Sequence, residues 1–80
     1  MSLTPSNHLD AARRDAQLTH GELFLRYFTL GGMSDALRLE AICYGALEPS
    51  THDADVIAQT LNERFTELGR NHPVPYSDDE

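Results

Sequence analysis

The stretch Thr19–Gly32, THGELFLRYFTLGG, holds the clearest structural signal in this chain. Thr19 and Glu22 stand at capping-box spacing, where a hydroxyl and a carboxylate each satisfy the other's free backbone N–H. Leu23 to Leu30 follows without a helix breaker, and Gly31-Gly32 ends the run with residues that enter the left-handed conformation at little cost. At about 100° per residue its apolar side chains spread over roughly 220° of the helix circumference, with only Arg26 and Thr29 marking a polar edge. Two neighbours in a small bundle cover about 120 to 180°. The excess predicts that this helix is central, or that part of it meets another chain. Leu25 lies opposite Leu23 and Leu30 on the wheel and is the residue expected outside the core. Exposed apolar groups cluster at partner sites, with aromatic residues at their centres, so Phe24, Leu25 and Phe28 form the candidate partner interface.

Toward the C-terminus, Ser34 is the expected cap of a second helix running to about Gly45 or Leu47. Leu37, Ile42 and Leu47 with Ala36, Ala41 and Cys43 would form its apolar side, and Asp35 in its first turn complements the helix dipole. Pro49 forbids continuation, because the residue before a proline avoids the helical region. A third helix starts at Ser50 or Thr51 and stops at Gly69, with Val56, Ile57, Ala58, Leu61, Phe65 and Leu68 at helical spacing. Toward the N-terminus, Leu9, Ala12 and Ala16 make a weaker stripe over His8 to Leu18, with Asn7 and Asp10 placed to cap it. Met1 to Asn7 is polar, carries Pro5 and is expected to be mobile. Asn71 to Glu80 (NHPVPYSDDE) has two prolines and an acidic end, and reads as an extended tail.

No segment alternates as a strand does, and nothing repeats. The expected fold is therefore all-α: a small three-helix bundle over residues 19–70, a flexible or weakly helical segment over 1–18 that could supply a fourth helix, and a disordered acidic tail over 71–80. The combination of RYFTLGG in the first helix, DVIAQTLNERFTELG in the third and VPY in the tail resembles a family of small helical proteins from GC-rich actinobacteria. The resemblance covers about Phe24 to Tyr76. It implies a helical fold and carries no functional residue to this chain.

Composition narrows the chemistry. A chain of 80 residues buries only about 60% of its unfolded surface, which leaves little room for both a core and a deep pocket. All six basic residues are arginines, so Schiff-base chemistry, pyridoxal-phosphate anchoring and a phosphate-loop lysine are excluded. Net charge is −7, with −4 carried by Thr19 to Arg70 and the rest by Asp78, Asp79 and Glu80. No basic stripe is present to drive nonspecific nucleic-acid binding. An acidic exterior instead favours basic partner surfaces. The first 30 residues hold no apolar run behind a basic start, and no window approaches the roughly 18 uninterrupted apolar residues of a membrane span, so a cytoplasmic protein without membrane partners is expected. The single Cys43 fits a reducing compartment.

No catalytic, cofactor or metal site is legible. Cys43 sits within a helix and away from any element that would lower its pKa, which makes it a core residue. His8, His20, His52 and His72 lie in separate segments without a second ligand three or four residues on. His52, Asp53 and Asp55 fall at a helix N-terminus, where capping accounts for them. Gly31-Gly32-Met33 lacks the spacing and the preceding strand of a phosphate loop. The two helices between Leu37 and Leu68 suggest a helix-turn-helix regulator as an alternative. Asp53 and Asp55 oppose it, since they would meet phosphate at the end of the helix entering the groove. The leading expectation is a small acidic interaction module that engages itself or a protein partner, without catalysis, cofactor or nucleic acid.

Overall fold

A computed structural model describes residues 7–70 and Val74, with side chains from Leu9 onward. Four helices follow one another: α1 (Asn7–Asp15), α2 (His20–Thr29), α3 (Ala36–Cys43) and α4 (Thr51–Glu67). The described residues contain no strand. α2 packs on α3 and α4, and α1 packs on α3. α4 is the longest element and the most enclosed, burying Val56, Ile57, Leu61 and Phe65 against Leu23 and Tyr27 of α2 and Leu39 and Ile42 of α3.

The core reaches beyond 19–70 at both ends. The weak N-terminal stripe is a helix, with Leu9 and Ala12 packed against the core, and Ala16 and Leu18 just after it are buried. At the other end the expectation of a disordered tail is corrected at Val74, which is buried in the core. Its backbone is held from both sides by the buried Asn62 side chain: Nδ2 donates to the Val74 carbonyl at 2.7 Å and the Val74 N–H donates to Oδ1 at 3.1 Å. An isolated amide at Asn62 would cost desolvation without return, so the two groups complete each other. The rest of the tail, His72 included, and the expected mobile residues 1–6 lie outside the described residues.

All four helices end in the same stop. In each, the N–H two residues past the C-cap reaches back to a carbonyl in the last turn: Leu18 to Arg13, Gly32 to Tyr27, Ala46 to Ala41 and Arg70 to Phe65. The residue between must take positive φ, and Gly31, Gly45 and Gly69 do so at 100°, 84° and 78°. After α1 the position is held by Gln17, at φ 61°. A side chain in this region costs about 1 to 2 kcal/mol, of which glycine gives back about 0.5 to 1 through its freer unfolded chain. Gln17 is exposed and its replacement loses no packing. Gln17→Gly is therefore expected to stabilise the protein by about 0.5 to 1 kcal/mol, read as a rise of a few degrees in a thermal melt.

α3 is shorter than the sequence suggests. Its N-cap is Asp35, whose carboxylate accepts from the Arg38 N–H at 2.8 Å, and its C-cap is Tyr44. Ser34, the expected cap, instead donates its hydroxyl to Asp53 Oδ2 at 2.8 Å. The helix therefore starts one position later, and the last stretch before Pro49 is turn. Leu39, Ile42 and Cys43 are the buried residues of α3, while Leu37, placed on the apolar side by the sequence, is 78% exposed. Leu37 and Leu39 lie about 200° apart on a helix, so only one of them can face the core.

The turn between α2 and α3 is bolted to the start of α4. Ser50 caps α4 by accepting the Asp53 N–H. Asp53 is 5% exposed and turns its carboxylate across the turn, accepting from the Met33 N–H at 3.0 Å as well as from Ser34. The buried Tyr27 hydroxyl accepts from the Ser34 N–H at 2.7 Å and helps to lower the pKa of the same carboxylate. Burial alone would raise the Asp53 pKa. The donors from Met33, Ser34 and Tyr27 outweigh it and hold the carboxyl below its ordinary range. His52 Nε2 adds a bond to the Gly31 carbonyl at 2.9 Å.

Arginines close the opposite side. Arg64 Nε donates to the Ala16 carbonyl at 3.0 Å, and Arg70 to the Asp15 carbonyl at 3.1 Å while lying over the Phe65 ring. Both reach the C-terminal end of α1, where free carbonyls favour cations. Arg26 grips Glu67 with two bonds of 2.9 Å, and Arg64 adds a third at 3.1 Å. These donors hold the Glu67 carboxyl at about 2.

Candidate functional site

The three residues singled out on α2 do not share one environment. Phe24 is half-buried against the core, whereas Leu25 is 66% and Phe28 61% exposed. Helix geometry explains the division. Leu23 and Tyr27 face inward, Arg26 is drawn to α4 by Glu67, and Phe24, Phe28 and Leu25 follow in that order around the remaining flank. The Phe24 and Phe28 rings lie 6.0 Å apart, so the buried end of Phe24 steadies the exposed ring of Phe28. α1, which might have covered this flank, packs on α3 instead.

Three further exposed apolar side chains were missed by the sequence reading: Met33, Leu37 and Tyr44. Tyr44, at the end of α3, shares a hydrogen bond of 2.9 Å with His20 at the start of α2, so the two helices run antiparallel. Leu37 lies two turns before Tyr44 on the same face of α3, which in an antiparallel pair sets it level with α2 about two turns past His20, near Phe28. Because α2 packs on α3, helix geometry lays Leu25, Phe28 and Leu37 out as one exposed apolar strip. The signal that could have found it was the incompatibility of Leu37 with Leu39.

Charge around the strip is acidic. Glu22 precedes Leu25 by three residues and Glu40 follows Leu37 by three, which places each carboxylate beside an exposed apolar side chain. Glu22, Asp35 and Glu40 form no ion pair among the described residues. The Thr19 backbone N–H holds the Glu22 carboxyl below its usual value, so the group stays ionised at neutral pH. Of the arginines on these two helices, Arg26 is engaged by Glu67, and Arg38 has no ion-pair partner among the described residues. The others sit around α1 and α4.

Elsewhere the titratable groups are structural. Cys43 is fully buried and is the last residue of α3. Burial, reinforced by Asp10, pushes its thiol up to about 11. In the folded protein it is expected to react with a thiol reagent at least about a hundredfold more slowly than after denaturation, measured by absorbance at neutral pH. Asp10 accepts from Arg13 and Arg14, with His20 3.8 Å away. No group of three or more His, Cys, Asp or Glu side chains among the described residues is placed to hold a metal ion, and no described helix is long and apolar enough to cross a membrane. Comparisons with protein-family models, with curated proteins and with solved structures give no match to this chain.

Proposed function

We propose that the chain is a small acidic interaction module that binds a protein partner, or a second copy of itself, through the apolar flank of α2. The observation that carries this is the exposure of Leu25 and Phe28 on a helix whose opposite side is fully buried. Side chains of this size in water cost free energy that a partner would recover, at about 25 cal/mol per Å² of apolar surface covered. A regulatory role, a cytoplasmic location and the likeness to small actinobacterial helical proteins belong to the same proposal, as does the absence of a catalytic, cofactor, nucleic-acid or membrane role. The helix-turn-helix alternative draws on α3 and α4. It has less support, because α4 is the most enclosed helix and its outward side carries Gln59, Glu63 and Glu67.

Sedimentation of the wild type and of Leu25→Glu over a wide concentration range, with matched capture of proteins from a cell extract, tests the module. The expected result is self-association or a retained partner that Leu25→Glu loses while its melting temperature is unchanged. A monomeric wild type that retains the same proteins as the variant overturns it.

A further inference from the structure

Resting on the interaction-module proposal, we infer what covers the strip: a basic amphipathic helix of another protein. Its apolar face would lie on Leu25, Phe28 and Leu37, and its Lys or Arg side chains would meet Glu22, Asp35 and Glu40. The exposed apolar groups stand on helices whose Glu22, Asp35 and Glu40 form no ion pair among the described residues, and Arg26, whose charge reaches Glu22, has its hydrogen bonds taken by Glu67. A surface of this composition attracts a cationic partner and repels a like one. A second copy would bring its own Glu22, Asp35 and Glu40 against the same groups, so self-pairing across the strip meets repulsion that a basic helix converts into attraction. The layout suits a helix as well. Leu25 and Phe28 are one turn apart, and Leu37 lies across the seam to a neighbouring helix about 8 to 10 Å away, which matches anchors at i, i+3 or i+4 and i+7 on a docked helix.

The test is fluorescence anisotropy of the full chain with a labelled 18-residue amphipathic peptide of leucine and lysine. Two control peptides keep the leucines and replace lysine by glutamine or by glutamate. The lysine peptide is expected to bind, with affinity falling about tenfold between about 50 and 300 mM salt as the Debye length shortens. Leu25→Ala combined with Phe28→Ala leaves the charge unchanged and is expected to weaken binding at least about tenfold at every salt concentration. Glu22→Gln, Asp35→Asn and Glu40→Gln together are expected to weaken binding severalfold and flatten the salt dependence. Gln and Asn keep the capping roles of the first two positions, and circular dichroism verifies the fold.

Equal binding of the lysine and glutamine peptides would overturn the charge inference and leave the apolar interface standing. Lysine-peptide binding indifferent to Leu25→Ala and Phe28→Ala would overturn the inference by showing general attraction to an acidic protein. Self-association that depends on Leu25, without peptide binding, would make a second copy the occupant and overturn it in favour of the broader module. Absence of peptide binding overturns the inference, and if there is also neither self-association nor a retained protein lost in Leu25→Glu, the module is overturned with it.

Discussion

Gly32→Ala is expected to lower stability by about 3 kcal/mol, at the upper end of what overpacking costs, and to drop the melting temperature by about 15 °C. A Cβ at this position would fall on the Tyr27 ring. The ring cannot give way, because Tyr27 is fully buried and its hydroxyl is tied to the Ser34 N–H. Gly31→Ala is the instructive comparison. A Cβ there meets open space, so its cost comes only from the positive φ, about 1 to 2 kcal/mol. Equal destabilisation by the two variants in urea unfolding would contradict the close approach of Gly32 to the ring.

The second large effect is expected from Asp53→Ala. Removing the carboxylate leaves the Met33 N–H and the Ser34 hydroxyl without their acceptor in a part-buried turn. At about 1 to 3 kcal/mol for each unsatisfied group, softened as the turn relaxes, the loss should come to about 3 kcal/mol. Asp53→Asn keeps the shape and one acceptor, and should cost about 1 kcal/mol. The pH dependence has a defined sign. A carboxyl lowered by folding contributes stability that is complete above its unfolded value, near 3.8, and is lost as pH falls through the lower folded value. The gap between wild type and Asp53→Ala should therefore be constant at neutral pH and narrow as pH falls below 3.8. Glu67 adds an acid-labile contribution in the same direction, between its ordinary 4.5 and about 2.

The limits of what could be read without coordinates trace to particular residues. α2 and α4 were legible because their signals are local: Thr19 with Glu22 at one start, Ser50 at the other, and Gly31 and Gly69 at the stops. The start of α3 was not, because Ser34 and Asp35 are adjacent and both can cap. The choice is made by Asp53, 19 residues away, which takes the Ser34 hydroxyl. The end of α1 was hidden for the opposite reason, since Gln17 occupies a position that glycine usually advertises. Val74 carried no local sign at all. It lies between two prolines, and only the buried amide of Asn62 explains its place. For the candidate surface, Leu25 and Phe28 followed from the width of the apolar arc on α2. Leu37 did not, because its exposure depends on which leucine of α3 wins the core.

The packing of α1 on α3 makes Cys43 a natural probe of whether the first helix opens apart from the rest. Cys43 is buried on α3, the helix on which α1 packs, and the charges of Asp10 and Arg13 on α1 act on its thiol. α1 itself offers few large apolar groups, and its end is held by the small buried Ala16, by Leu18 and by carbonyl contacts from Arg64 and Arg70. Elements secured in this way detach at a lower free energy than the whole molecule unfolds. The rate at which the native thiol is modified would then follow the detached population of α1, and its dependence on denaturant would be shallower than that of global unfolding. One natural cysteine thus supplies a site-specific readout of how often the first helix lifts away, without any introduced label.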